Sequence, residues 1–281
     1  MKNINCIVCD SMESKVKFQK AAKDGASFQL VQCRTCGLEY ISPQPSFSEV
    51  SKYYSSEYFL QRSERGYDNY FSNTVKNEIE RVFKLNLKDL KFFEYENSLY
   101  NSKQSLDIGC AAGYFVNFLK NRNWNSHGID ISKECVEFAQ TNGLSVIEGD
   151  YLNQSYKTKF NLITMWASIE HLHEPQKFIA KIYDDLTKDG ILYISTCRVG
   201  FSFSKVFGKK WRFYNFPEHL FFFSIKTLKS LLKTYGFKIE TIHTYGSGFG
   251  KGGSFLRRGA DFMAKHFRLG DMMIISARKI K

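Results

Sequence analysis

The chain has no apolar run near the ~20 residues that a membrane-crossing helix needs. The Phe221-Phe222-Phe223 triplet with its neighbours is among the longest. Residues 1–9 do not read as a secretory leader, because the stretch is short and carries polar side chains, so a cytoplasmic protein is expected. The seven cysteines are odd in number, and in such a chain disulfides are not expected. There is also no lysine block, although 40 Lys and Arg against 28 Asp and Glu leave a net charge of +12. That charge could draw nucleic acid, a membrane surface or a phosphorylated small molecule, and scattered lysines equally suit a plain solvated surface. The turn at 107–113 reads Asp-x-Gly-x-x-x-Gly rather than Gly-x-Gly-x-x-Gly, and the glycine-rich stretch 246–253 lacks the order of a phosphate loop. It reads as a loop or hairpin connection.

What is present suits one large domain with a small appendage. The chain has 281 residues, 43% of them hydrophobic, with 26 Phe and 16 Tyr. Cys6/Cys9 and Cys33/Cys36 form two Cys-x-x-Cys pairs separated by 23 residues. Four thiolates close a tetrahedral zinc site with no open position, so the metal is expected to be structural. The gap can hold a hairpin with strands near residues 16–19 and 27–32. About 40 residues bury little core, and a metal is the natural staple. Cys110, Cys135 and Cys197 lie in core-like segments.

Residues 1–42 are therefore read as a zinc ribbon. Residues 43–102 are read as a helical and aromatic linker, and 103–281 as the main domain. Pro43-Gln44-Pro45 is an extended connector, and 46–54 a short helix. Tyr58, Phe59, Tyr67, Tyr70 and Phe71 form either a lid or a packing seam. Helical spacing runs over 74–95, and 94–104 reads as a loop.

The chain is organised around residues 106–116, Leu-Asp-Ile-Gly-Cys-Ala-Ala-Gly-Tyr-Phe-Val. A short apolar strand runs into a two-glycine turn and then a helix over 114–121. Such a turn lets a ligand approach the backbone, with the helix N–H groups aimed at it. Asp107 would repel a pyrophosphate and pair with an ammonium group. That favours an amino-acid-bearing nucleoside over a dinucleotide. The stretch resembles the first motif of class I S-adenosylmethionine (SAM) methyltransferases, which usually have glycine where Ala111 stands.

With the two cysteine pairs, Cys36-Gly37-Leu38, Pro43-Gln44-Pro45 and Tyr53-Tyr54, nearly the whole chain resembles one subgroup. These are zinc-ribbon methyltransferases that modify sugars and other small biosynthetic intermediates. The resemblance implies an α/β, Rossmann-like, mostly parallel seven-stranded sheet flanked by helices behind a small zinc ribbon. The strand–helix alternation from 105 to 199 independently argues for a parallel sheet wrapped by helices.

A second strand, 126–130, ends in Asp130, about twenty residues after Gly109, where a carboxylate can take both ribose hydroxyls. The alternative is that it caps the helix 133–142, for which Ser132 is the better residue. Asp150 closes the third strand, 144–147, and in the family such an acid meets the adenine amino group. The fourth strand, 160–166, ends facing the methyl donor. On the resemblance, SAM is held by Asp107, Gly109, Cys110, Ala111, Gly113, Tyr114, Asp130, Ile131, Asp150, Tyr151, Met165 and Trp166. A helix over 175–186 leads to a strand over 190–196. A further helix, 228–235, precedes the strands 237–244 and 271–281.

Methyl transfer to oxygen needs alignment and usually the removal of one proton, a task suited to histidine. Glu170-His171 follows the fourth strand, and Glu218-His219 follows the fifth. His219 is the first choice as base, with Glu218 orienting it or binding substrate, and His171 is its rival. Transfer by proximity alone is the third possibility. Trp211, Tyr214, Arg212 and Glu170 are candidate acceptor contacts, each with core packing or a solvated surface as the plain alternative. Lys205, Lys209, Lys210 and Arg212 could hold a phosphate or simply be a solvated charge run.

The expected activity is SAM-dependent methyl transfer to a small hydroxylated acceptor. A sugar or nucleotide-linked sugar leads, and oxygen is favoured over carbon or nitrogen. An RNA methyltransferase is the alternative, disfavoured because residues 6–36 are not strongly basic. A non-catalytic binding module with the same fold is the second alternative.

Overall fold

A computed structural model of the chain describes residues 1–53, 69–100, 103–200, 203–246 and 269–280. Tyr58, Phe59 and Tyr67 of the aromatic stretch, and 247–253 of the glycine-rich stretch, lie outside the described residues. No helix among the described residues is long and apolar enough to cross a membrane.

At the N-terminus β1 (Ser14–Ala21) and β2 (Ser27–Cys33) form an antiparallel hairpin, and β3 (Glu39–Ile41) pairs with β2. The fourth strand of this sheet comes from much later in the chain. β9 (Phe221–Phe222) pairs antiparallel with β3, and the Ile41 amide donates to the Leu220 carbonyl at 3.0 Å. One hydrophobic core runs from Leu30, Leu38 and Tyr40 of the ribbon through Trp211, Tyr214 and Phe221–Phe223 to Ile194 and Leu228 of the main domain.

The second sheet has seven strands. β4 (Gln104–Ile108), β5 (Asn125–Asp130), β6 (Ser145–Glu148), β7 (Phe160–Trp166) and β8 (Leu186–Cys197) run parallel. β10 (Phe237–Tyr245) and β11 (Met272–Lys279) complete the order β10-β11-β8-β7-β4-β5-β6, and β11 is antiparallel to both neighbours. The expected Rossmann-like sheet is thus present, with the reversed strand near one edge. Chain order reverses between β4 and β7, which opens a crevice at their carboxyl ends.

The helices are α1 (Phe47–Ser51), α2 (Asn73–Asp89), α3 (Phe92–Ser98), α4 (Tyr114–Lys120), α5 (Lys133–Thr141), α6 (Pro175–Asp185), α7 (Phe203–Phe207) and α8 (Ile225–Thr234). The single helix expected over 74–95 is two. Lys91 adopts a left-handed conformation (φ 57°) that ends one helix and starts the next, and α3 runs into the expected loop. β8 starts four residues earlier than expected. Leu186 pairs with Phe160, and an irregularity absorbs the polar Lys188-Asp189-Gly190 before Ile191 pairs with Leu162.

Candidate active site

The turn between β4 and α4 forms the floor of a cavity of about 600 Å³ at the carboxyl ends of β4, β5 and β7. Gly109 is there because no other residue fits. Its φ is +70°, and a Cβ would lie 2.5 Å from Oγ of Ser168, which follows β7. Ala111 also has positive φ (45°), which accounts for the glycine preferred there by the resembling family. Its amide donates to Oδ2 of Asp130 at 2.7 Å, and the Ser132 amide donates to Oδ1 at 2.8 Å. Asp130 therefore ties the turn to the end of β5, while Ser132 caps α5 by accepting from the Cys135 amide. Burial raises the pKa of Asp130 against these bonds.

Asp107 is 4% exposed and lines the same cavity. Its Oδ1 accepts from the Thr164 hydroxyl at 2.6 Å. Burial pushes its carboxyl up to about 8, with the nearby Asp130 charge adding to the effect. A buried acid of this kind gains by meeting a cation. Asp150 is exposed at the rim and accepts from the Leu152 amide, and Tyr151 is buried with its hydroxyl donating to Asp185 at 2.7 Å. Tyr114 donates to the Tyr70 carbonyl at 2.7 Å. Trp166 closes the cavity beside Phe83 and Phe115, with ring centres 4.7 and 5.1 Å away.

Of the expected nucleoside contacts, Asp107, Gly109, Cys110, Ala111, Tyr114, Asp130, Ile131, Asp150, Tyr151 and Trp166 all line the cavity. Gly113 and Met165 do not. Gly113 caps the start of α4, where an added Cβ would lie 2.9 Å from Leu144 and 3.2 Å from Ala139. Met165 is fully buried on the opposite pleat of β7 from Thr164 and Trp166, so it belongs to the core instead. Tyr70, of the stretch expected to be a lid or a packing seam, lines the cavity, while Thr164, Ser168, Phe83 and Phe178 carry no site signal in the sequence. Their spacing gives only a core signal, and their place at the site depends on the fold.

The acid–histidine pairs meet at the other wall. Beyond β7, residues Ile169–His171 form a short 3-10 turn that brings His171 onto the cavity. Its Nδ1 lies 2.8 Å from the Glu218 carbonyl. A carbonyl only accepts, so Nδ1 carries a proton and donates it to that carbonyl. His219 packs edge to face behind His171, with ring centres 4.5 Å apart, and is 1% exposed. The Glu170 carboxylate is buried and accepts from the Thr196 hydroxyl at 2.8 Å. Glu170, His171 and His219 place one donor atom each within 4.8 Å of one another, a grouping that suits proton handling or a metal ion.

The remaining candidates lie elsewhere. His219 and Glu218 do not line the cavity, and Glu218 accepts from Asn215 at 2.8 Å. Trp211 and Tyr214 are 1% exposed beneath the ribbon, and the Tyr214 hydroxyl donates to Glu39 of β3 at 2.7 Å. They are core residues, because the β3–β9 pairing closes over them. Arg212 makes a two-bond pair with Asp271 and lies over Phe213.

The four ribbon cysteines converge, with all four Sγ atoms within 4.8 Å of one another. Cys6–Cys36 is 3.4 Å and Cys9–Cys33 is 3.5 Å, close to the ~3.7 Å edge of a tetrahedral Zn–S4 site. The donor set fits structural zinc, which would supply the staple that the small hairpin lacks.

A family model described as a methyltransferase domain matches residues 78–242. The ubiquinone biosynthesis O-methyltransferase of Actinobacillus pleuropneumoniae serotype 5b is 32% identical over 112 residues, covering 36% of this chain and 47% of that protein. Its mitochondrial namesake in Schizosaccharomyces pombe is 26% identical over 110 residues, covering 36% and 40%. The chain thus spans about half the length of the curated relatives it matches. Among solved structures, the magnesium protoporphyrin IX methyltransferase of Synechocystis PCC 6803 with bound SAH aligns with a TM-score of 0.57 at 16% identity. That alignment covers 83% of this chain and all of that one. It shows a shared fold.

Proposed function

We propose that this chain, which belongs to the methyltransferase-domain family and is a SAM-dependent methyltransferase, methylates a small hydroxylated acceptor on oxygen. The target atom follows the O-methyltransferases among its relatives. A sugar, free or nucleotide-linked, is the leading acceptor class, on the resemblance to zinc-ribbon enzymes of that kind. The observation that carries the reading is the single cavity on which Asp107, the Gly109 turn and Asp130 face His171.

SAM supplies an electrophilic methyl group on a sulfonium. Asp107 pairs with its ammonium group, Asp130 takes ribose hydroxyls, and Asp150 at the rim meets the adenine. The close approach at Gly109 leaves backbone exposed to the ligand. Trp166, Phe83 and Phe115 keep water from the reacting end. His171, on the cavity wall, takes the acceptor's hydroxyl proton as the oxygen gains the methyl group. His219 and Glu218 act through His171, as its packing wall and its Nδ1 anchor.

Equilibrium titration with SAM is the first test, and no binding at millimolar concentration ends the proposal. A screen of labelled SAM against free sugars, nucleotide sugars and RNA then identifies the acceptor. Methylation confined to RNA would replace the small-molecule reading.

A further inference from the structure

Just beyond β8, residues 198–217 contain no Asp or Glu but include Arg198, Lys205, Lys209, Lys210 and Arg212. The two arginines are engaged. Arg198 is buried and donates to the Gly270 carbonyl, and Arg212 pairs with Asp271. The three lysines are exposed and have no ion pair among the described residues. Between them, on α7, Val206 is 78% exposed and Phe207 54%. Other large apolar side chains are exposed singly. Among the described residues Val206-Phe207 is the only adjacent pair, and it lies inside the lysine triad. Scattered exposed apolar residues need no explanation, but an exposed apolar pair flanked in the chain by exposed lysines on both sides does.

We propose that α7 and the Gly208–Lys210 turn form an interfacial contact with an anionic membrane surface. The apolar pair would enter the headgroup boundary while the lysine stems lie along it with their ammonium groups at lipid phosphates. Each signal is weak alone, and the two together give reversible anchoring. The absence of acids across the segment sets the sign of the surface, which a neutral or zwitterionic partner would not require. The patch follows the carboxyl end of β8, the end of the sheet that carries the cavity, so docking leaves the active site on the membrane-facing end. The contact is independent of which acceptor is methylated.

The test is sedimentation of the full chain with phosphatidylcholine vesicles, with and without phosphatidylglycerol. Binding to the anionic vesicles alone, weakening with salt, is expected. A lysine near an anionic surface contributes about fivefold to partition. The Lys205→Glu, Lys209→Glu, Lys210→Glu variant should therefore lose about a hundredfold or more. Val206→Ser with Phe207→Ser should reduce partition several-fold at unchanged charge. A control with the same charge change on exposed residues elsewhere, Lys84→Glu, Lys88→Glu and Lys226→Glu, should lose far less. SAM affinity reports folding and should be the same in all. Equal losses in the triad and control variants would assign binding to net charge and overturn the proposal. No preference for anionic vesicles overturns it too, as does a salt-sensitive RNA gel shift lost in the triad variant while vesicles are ignored.

Discussion

His171 and His219 meet at right angles, with ring centres 4.5 Å apart, and only His171 reaches the cavity. The histidine preferred from the sequence as base, His219, is therefore the one that does not line the cavity. His171→Gln should lower kcat by about a hundredfold or more, the usual worth of a general base, and leave SAM affinity unchanged. His219→Gln should act less strongly and mainly through the pH profile of kcat. Single-turnover transfer to the acceptor found by screening, run across pH, measures both. A larger loss in His219→Gln would return the base role to His219.

Asp107 links ligand binding to pH. Burial holds its carboxyl near 8, so at neutral pH the empty site is mostly protonated. Pairing with the ammonium group of SAM requires the charged form, so binding should release a proton. Below pH 8 affinity should fall up to tenfold per pH unit. Stability has the matching sign. The folded-state value lies above that of the unfolded chain, so the contribution is present at low pH and is lost as pH rises from about 4 to 8. Calorimetry in buffers of different ionisation enthalpy reads the proton directly. Asp107→Asn should abolish its release and weaken binding.

The Gly109 turn makes opposite predictions two residues apart. Gly109→Ala must hold a side chain at φ +70° with its Cβ 2.5 Å from Ser168, at a cost of roughly 1–3 kcal/mol for the backbone alone. Thermal unfolding should move down by several degrees and SAM affinity should drop. Ala111→Gly relieves a left-handed alanine and should raise stability by about 0.5–1 kcal/mol, the strain released less the entropy glycine adds. An unchanged melting temperature in both variants would contradict this view of the turn.

The donor half of this site was legible in the sequence because its chemistry is local. A strand, a glycine turn and a helix bring Asp107, Gly109 and Tyr114 together within a few residues, and Asp130 ends the next parallel strand. The acceptor half was not, because it depends on long-range contacts. Nothing in the spacing of Trp211 and Tyr214 says that β9 will pair with β3 and bury both rings beneath the ribbon. Met165 was misplaced for a simpler reason. Strand residues alternate faces, and the pleat of β7 is fixed only by Thr164 reaching Asp107. The clustering of the cysteine pairs was legible, while the bond that brings the Glu218–Leu220 stretch to β3 of the ribbon was not.

That stretch joins the ribbon to one wall of the candidate site. The Ile41 amide donates to the Leu220 carbonyl at 3.0 Å, and the Leu220 amide donates to the Glu170 carbonyl at 2.8 Å, one residue from His171. These bonds link β3 of the ribbon to the residue before the candidate base through backbone alone. Metal analysis should find one zinc per chain, and Cys36→Ser should lower that content. Chelation should lower the melting temperature, because binding energy in such a site is folding energy. The donor turn lies on β4 and β5, away from β3. SAM affinity should therefore survive metal loss within about threefold, while transfer falls by tenfold or more as the His171 wall loosens. Titration and transfer measured on the same stripped sample separate the two. A parallel collapse of SAM binding would mean that the ribbon holds the whole domain rather than one wall of its site.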